Sequence, residues 1–314
     1  MQQPHAPRFS IVIPAFNVEG CLRRALDSVL AQSLQDFEVL VVDDASHDGT
    51  VALVRAMADA DDRIRVFEQS HNQGPSAARN LGLASARGEW IAVLDADDAF
   101  EPDRLVRLLE FAQRRRADVV ADDLVLYDQG ADRRLGAAFG WDSEHRLTME
   151  NLLERDVYMR GYPLGWIKPV FRRAFIQEMG LTYPTQYRHA EDFFLLSSLL
   201  LEGAEFWLLP VPGYVYTLRI GAVSGKRSPF SSSAPDLNNI AASCDELIRA
   251  YREVLTPKEL AGLRARKVRF EHGYHLHIAA AQARNGSPFK AANTLITHPG
   301  AARLLLERLS RRFL

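Results

Sequence analysis

Asp95-Ala96-Asp97-Asp98 sets three carboxylates directly after the apolar run Trp90-Ile91-Ala92-Val93-Leu94. Carboxylates crowded at the end of a buried strand repel one another and lose hydration unless a cation neutralises them. Mg2+ and Mn2+ prefer such oxygen ligands and commonly bridge a few carboxylates to substrate phosphates. The predicted chemistry is therefore the handling of a phosphorylated, nucleotide-linked substrate, with Asp97 as the metal ligand. The ion would act as a Lewis acid on a diphosphate leaving group. Asp95 is placed to hydrogen-bond a ribose hydroxyl, and Asp98 reads as a turn or cap residue.

Two further acidic pairs invite the same question. Asp43-Asp44 ends the apolar run Val39 to Val42 and precedes Ala45-Ser46-His47-Asp48-Gly49-Thr50. Turn chemistry accounts for Ser46 and Asp48, whereas Asp44 is predicted to accept the imide N–H of a uracil base. Glu191-Asp192 heads the apolar segment Phe193-Phe194-Leu195-Leu196. Acids in a first helical turn favour the dipole, but at a cleft one of them is placed to act as a general base; Asp192 is the choice, with Glu191 supporting it. Between the clusters, Asn72 to Gly82 reads as a loop entering a helix of small residues that packs closely on a sheet. Its start leaves backbone N–H groups for a phosphate, and Arg79 adds charge.

These residues need a scaffold that brings strand ends together. Residues 9–127 alternate short β-rich runs with helical patterns, the signature of an α/β unit with a mainly parallel sheet. Strands are predicted at Phe9 to Ile13, Phe37 to Val42, Arg63 to Phe67, Glu89 to Leu94 and Asp118 to Leu126. Helices are predicted at Glu19 to Gln32, Thr50 to Ala60, Gly74 to Ala86 and Pro102 to Arg115, with Pro102 in a first turn. In such sheets ligands bind outside the carboxyl ends of the strands, where both acidic clusters fall. Gln129 to Gly165 reads as an insertion or long connection. A helix at Ala190 to Leu201 and strands at Glu205 to Leu209 and Gly213 to Arg219 follow. After a Ser- and Pro-rich linker, Gly225 to Pro235, the chain is predicted helical, with breaks near Gly286-Ser287-Pro288 and His298-Pro299-Gly300.

The motifs, in this order and spacing, resemble the inverting family 2 glycosyltransferases of GT-A fold. The resemblance rests on Ser10-Ile11-Val12-Ile13-Pro14-Ala15-Phe16-Asn17, Val41 to Thr50, Asn72 to Gly82, Leu94 to Asp98 and Glu191-Asp192, and spans about residues 8–225. Asp43-Asp44-Ala45-Ser46, with Gly74-Pro75 and Leu94 to Asp98, is most similar to bacterial exopolysaccharide glucosyltransferases of the succinoglycan type. The resemblance implies that Pro14 and Phe16 line the nucleotide pocket, the Phe16 ring against the base. It places Asp44 on uracil, Asp95 on ribose, Asp97 on the metal and Asp192 on the acceptor hydroxyl. Trp166, Lys168 and Arg172 would shape the acceptor side, and Tyr214, Tyr216 and Arg219 before Gly221 and Ser224 resemble a closing strand and loop. Thr217-Leu218 stands where many relatives carry a basic residue, so no phosphate role is expected there.

The implied reaction moves a hexose, glucose favoured, from a UDP-sugar to a glycan or lipid-linked oligosaccharide acceptor in one inverting displacement assisted by Mg2+ or Mn2+. Loops at 129–165 or 219–226 would order over the donor. Two rivals remain at this point. A metal-dependent phosphotransferase also sets Asp-x-Asp after a strand, but would need Lys and Thr elements that are not evident. A non-catalytic nucleotide-sugar binding module has no use for Asp192.

Composition bounds the rest. Hydrophobic residues at 47% and charged residues at 25% exclude a disordered or fibrous chain. Cys21 and Cys244, far apart, suggest no disulfide framework, and no signal peptide or membrane span is expected, so a cytoplasmic location is predicted. Residues 226–314 hold 15 Lys and Arg against 7 Asp and Glu, a balance of +8. Residues 1–225 hold the remaining 23 and 33, a balance of −10; the resemblance implies a GT-A transferase domain at 1–225, and the charge balance sets it apart from a basic helical region at 226–314. With an acidic front and no recognisable motif, nucleic-acid binding is not expected. In Arg303 to Leu314, Leu305, Leu309 and Phe313 share a stripe with Arg308, Arg311 and Arg312 off it. That helix either packs on its own domain or meets anionic lipid at the inner face of the plasma membrane. Homodimerisation through the helical tail stays open. His272, His275 and His277 read as surface histidines, and Arg114-Arg115-Arg116 as a solvated helix end.

Overall fold

The computed structural model describes residues 6–157, 162–187, 189–218 and 236–310. Arg219, Gly221, Ser224, the Gly225 to Pro235 linker, and Arg311, Arg312 and Phe313 lie outside them. The described chain forms two compact units that interleave in sequence. Residues 148–165, 186–201 and 234–314 group together, and the remainder forms the other unit. The expected boundary at 225/226 falls outside the described residues, and the segment carrying Glu191 and Asp192 groups with the C-terminal helices.

The first unit is built on one ten-stranded sheet. Its strands are β1 (Phe9–Ala15), β2 (Phe37–Asp43), β3 (Ile64–Glu68), β4 (Trp90–Val93), β5 (Ala99–Phe100), β6 (Val119–Asp128), β7 (Arg133–Ala137), β8 (His145–Arg146), β9 (Val170–Arg172) and β10 (Phe206–Leu218). The order is β3-β2-β1-β4-β9-β6-β10-β5, with β7 on β6 and β8 on β10. The long strands pair in parallel, β3 with β2, β2 with β1, β1 with β4, and β6 with β10. Short strands β5, β7, β8 and β9 pair antiparallel, and β9 sits between β4 and β6.

Period-two alternation explains the central strands. Phe9, Ile11 and Ile13 join one core with Leu22, Leu26 and Val29 of α1 (Leu22–Leu30) and Leu105, Leu108 and Phe111 of α4 (Arg104–Arg115). The other face receives α3 (Pro75–Ser85), where a Cβ on Gly82 would stand 2.2 Å from Val12 Cγ1, so the predicted close packing of small residues is realised. Helix α2 (Thr50–Ala58) joins the first core through Val54 and Met57, and the short α6 (Arg173–Glu178) follows β9.

Several boundaries differ from the sequence expectation. Helix α1 starts at Leu22 rather than Glu19, and Pro102 precedes the N-cap Asp103 instead of entering α4. The two strands expected at 205–209 and 213–219 are one, β10, with a register shift between Leu209 and Tyr214. Pro210 and Pro212 mimic a break, yet a bulge absorbs them. The connection at 129–165 holds β7, β8 and helix α5 (Met149–Arg155).

The second unit is helical: α5 with α7 (Glu191–Leu201), α8 (Leu237–Ala250), α9 (Pro257–Arg284), α10 (Pro288–Thr297) and α11 (Pro299–Ser310). A capping box, Thr256 with Glu259, starts α9 at a proline in its first turn. The breaks predicted near Pro288 and Pro299 are where α10 and α11 begin.

Candidate active site

The carboxyl ends of β1, β2 and β4 converge on a set of tightly tied turns. Asn17, with φ 53°, donates its backbone N–H to Ser46 Oγ at 2.9 Å, and its Oδ1 accepts from His47 N at 2.8 Å. Phe16 meets His47 edge-on, ring centroids 6.4 Å apart, and Pro14 beside it is half-buried. Asp48 accepts from Thr50 N at 3.0 Å, the local turn role expected of it. Asp43 Oδ2 accepts from Ser46 N at 2.9 Å, while Asp43 Oδ1 is buried without a hydrogen-bond partner.

Asp44 is buried, and its two oxygens accept the N–H groups of Gln73 and Gly74 at 2.7 and 2.8 Å. Burial pushes this carboxyl up, and the two N–H donors oppose the rise. Asp44 therefore holds the turn that begins α3, where Gly74 takes φ 88°. Sequence reasoning assigned it to a ligand and missed this second job, because Gln73 and Gly74 lie about thirty positions away.

In the acidic turn after β4 the three carboxylates have separate environments. Asp95 Oδ1 pairs with Arg79 Nη2 at 2.8 Å and Asp95 Oδ2 with Lys168 Nζ at 3.0 Å. Both cations are buried, and despite desolvation they hold the Asp95 carboxyl well below the usual carboxylate range. The cation this carboxylate demands is thus supplied by the protein. Arg79, expected to face a phosphate, is committed to Asp95 and lies over the Tyr183 ring at 5.2 Å. Lys168, expected on the acceptor side, also serves Asp95.

Asp98 is neither a simple turn residue nor a helix cap. Its Oδ2 accepts from Tyr214 O–H at 2.8 Å and its Oδ1 from Thr217 N at 2.8 Å, which fastens β10 to the acidic turn. The Tyr214 oxygen in turn accepts from Asp95 N at 3.1 Å. Burial, then the charges of Asp97 and Asp95, push the Asp98 carboxyl well up, and burial does the same to the Tyr214 phenol.

Asp97 is half-buried, and its backbone carbonyl accepts from Arg24 Nη2 at 2.6 Å. Arg24 also donates to Thr217 Oγ1 and stands over the Tyr127 ring at 5.0 Å. Thr217, given no phosphate role from the sequence, links Arg24 and Asp98. Trp166 stacks on Tyr216 with centroids 4.8 Å apart, and Arg172 pairs with Asp118 at the far end of β9. Behind this surface Arg104, fully buried, pairs with Asp122 at 2.8 Å, donates to Lys168 O at 2.9 Å and lies over Phe100 and Tyr214. Neither Arg24 nor Arg104 was singled out from the sequence, where each reads as an ordinary helix-surface arginine.

Among the described residues no three Asp, Glu, His or Cys groups form a metal-holding set. The donor set nevertheless fits a hard cation that keeps only one protein carboxylate. Asp95 and Asp98 are taken by other partners, and Mg2+ or Mn2+ ordinarily completes its shell with phosphate oxygens and water. Asp97, half-buried in the same turn, is where the sequence expectation sets the ligand of such an ion.

In the second unit, Glu191 and Asp192 form the first turn of α7, half-buried. The next residue, Phe193, lies under the Arg266 guanidinium at 3.6 Å. Arg266 pairs with buried Asp156 at 3.1 Å, whose other oxygen accepts from Gly165 N at 3.0 Å. A cavity of about 250 Å³ in the same unit is lined by Leu153, Asp156, Lys258, Arg266 and Phe270, and contains none of the residues singled out from the sequence.

This sheet with its strand-end carboxylates is a GT-A fold, and solved structures of that fold match it. Staphylococcus aureus TarS, residues 1–349, in complex with UDP-GlcNAc superposes with a TM-score of 0.71 at 20% identity, over 93% of this chain and 82% of that one. The mannosyltransferase PcManGT from Pyrobaculum calidifontis, in complex with GDP-Man and Mn2+, gives 0.57 at 17% identity, over 98% and 81%. Residues 10–167 match the model of glycosyl transferase family 2, and the chain belongs to that family. That membership sets it apart from the metal-dependent phosphotransferases. The succinoglycan biosynthesis protein ExoO of Rhizobium meliloti is 38% identical over 220 residues, 69% of this chain and 63% of the relative. ExoU of the same organism is 34% identical, over 68% and 63%. The chain thus spans less than two thirds of the length of these relatives.

Proposed function

We propose that the protein transfers a hexose, glucose favoured, from a UDP-sugar to a glycan or lipid-linked oligosaccharide acceptor in exopolysaccharide biosynthesis, with inversion at the anomeric carbon. The observation that carries this reading is the division of labour in the acidic turn. Asp95 is neutralised by Arg79 and Lys168, Asp98 is bonded to Tyr214 and Thr217, and Asp97 is half-exposed between them. The naming of ExoO and ExoU as succinoglycan biosynthesis proteins supports the pathway class. UDP-GlcNAc in TarS supports a uridine nucleotide donor, and GDP-Man with Mn2+ in the mannosyltransferase supports a divalent cation.

In this reading Pro14 and Phe16 line the base pocket, with Asp44 holding the Gln73–Gly74 turn and accepting the uracil N–H. Asp95 receives a ribose hydroxyl, its charge kept in place by two buried cations rather than by the ligand. Arg79 acts through Asp95. A Mg2+ or Mn2+ held by Asp97 would neutralise the diphosphate. Asp192, supported by Glu191, accepts the proton of the acceptor hydroxyl as its oxygen bonds to the anomeric carbon. The bond to the diphosphate oxygen breaks on the opposite face, and UDP leaves. A single base suffices because the leaving group needs no proton, unlike the paired carboxyl groups of glycosidases.

A UDP-release screen across nucleotide sugars, with Mn2+ or Mg2+, tests the assignment. Asp97→Ala and Asp192→Asn are each expected to lower turnover by at least about a hundredfold. Full activity in both variants would overturn it. Proton NMR of the first-formed product reads the anomeric configuration, and retention would exclude the single displacement.

A further inference from the structure

Helix α10 buries only Ala291, with Leu295 partly covered, against α9 and α11. Its other face carries Phe289 and Ile296, 91% and 77% exposed, with Asn293 between them at helical spacing. Helix α11 repeats the pattern. Ala301 and Leu304 are buried with Leu276, and Leu305 packs on them. Arg303, Leu306 and Leu309, at three-residue spacing, stay outside, with Leu306 at 66% and Leu309 at 43% exposed. Of the stripe expected from the sequence, Leu305 turns in and Leu309 stays outside with Leu306, and Phe313 lies outside the described residues. One face of this helix packs on its own unit, the first of the two expectations, and another apolar face is left over.

Large apolar side chains left in water along two consecutive helices mark a surface built for a partner. Charge selects which partner. Residues 284–310 carry Arg284, Lys290, Arg303 and Arg308 against a single acid, Glu307, and Glu307 is paired with Arg269 at 2.9 Å. Lys290 directly follows Phe289, and the exposed Arg303 precedes Leu306 by one helical turn. An isologous contact with a second copy would set these cations against their own images. A surface of anionic headgroups over acyl chains meets both features: the cations sit at the phosphates, and Phe289, Ile296, Leu306 and Leu309 enter the apolar layer.

We infer that the outward face of α10 and α11 is a docking surface for an anionic bilayer, on which the protein lies without spanning it. Among the described residues no helix is long and apolar enough to cross a membrane. The inference deepens the proposed lipid-linked acceptor, but its test reads binding and not turnover, so each can fail without the other.

The test is sedimentation of the full chain with vesicles of phosphatidylcholine alone and of phosphatidylcholine mixed with phosphatidylglycerol. The native chain is expected to pellet with the mixed vesicles only, and to be released as salt is raised. Phe289→Ser combined with Ile296→Ser, and separately Lys290→Glu combined with Arg303→Glu, should each weaken partition by at least about tenfold. These positions are exposed, so unchanged thermal melts and unchanged UDP release on a soluble acceptor should accompany the loss. Leu306→Ser serves as a second apolar probe. No binding by the native chain, or equal binding by both double variants, would overturn the inference. So would a concentration-dependent dimer in light scattering that the Phe289/Ile296 variant abolishes, since the face would then belong to a second copy.

Discussion

Asp98 is the side chain in which burial and neighbouring negative charge act together, against the hydrogen bonds from Thr217 and Tyr214. Its carboxyl is pushed up by burial and by Asp97 and Asp95, so it holds a proton at pH values where the unfolded chain, titrating near 4, has released one. Stability from this group is full below about pH 4 and falls as pH rises toward the folded-state value. Asp98→Asn does not titrate, so its stability relative to the native chain should improve by about 1 kcal/mol per pH unit across that window. Melting curves of the two chains that stay parallel as pH rises above 4 would contradict this. Asp95 has the opposite sign: its carboxyl is depressed, and its contribution is present above about pH 4 and lost below it. Lys168→Met should therefore cost about 2 kcal/mol at pH 7, with the difference shrinking below pH 4, and should raise the KM for the donor. The acidic clusters that close β2 and β4, with Asp44, Asp95 and Asp97 in them, were legible from type and position alone. The role of Asp98 was not, because Tyr214 and Thr217 lie more than a hundred positions away and only folding brings them to it.

Strand β10 and helix α4 carry the site jointly. At the β10 bulge a Cβ on Gly213 would stand 2.2 Å from Asp122 Oδ2 and 3.0 Å from Arg104 Cγ. Gly213→Ala is expected to destabilise by about 1–3 kcal/mol in a denaturant melt. Arg104→Ala should cost about 3–5 kcal/mol, because it leaves Asp122 as an uncompensated buried charge. Arg104→Lys should recover little, since one ammonium cannot reproduce the fork that spans Asp122 and Lys168 O. A lysine variant as stable as the native chain would count against this account. The alternation that defines β1, β2 and β4 was readable because each strand is a short apolar run ended by turn residues. The continuity of β10 was not, because Pro210 and Pro212 are ordinarily signs of a break.

The two units draw on three separated stretches each, so neither corresponds to one continuous half of the chain. The acidic turn belongs to one unit and Asp192 to the other. If Asp97 holds the metal on the donor, UDP with Mn2+ should raise the melting temperature by about 5 °C near saturation. EDTA should abolish the rise, Asp97→Ala should never show it, and Asp192→Asn should keep it. A rise of equal size in Asp97→Ala would remove that residue from the donor site.

The order of apolar runs and strand-end carboxylates along the sequence was enough to define the α/β class, the acidic clusters and the family, because these are local patterns of period and turn chemistry. Which cation each carboxylate meets was decided by folding. Arg24, Arg79, Arg104 and Lys168 come from four separate segments, and a salt bridge depends on distance in space, which residue type and spacing do not encode. The same holds for α11: periodicity showed an apolar stripe, but packing selected which apolar residues of α10 and α11 turn inward and which stay exposed.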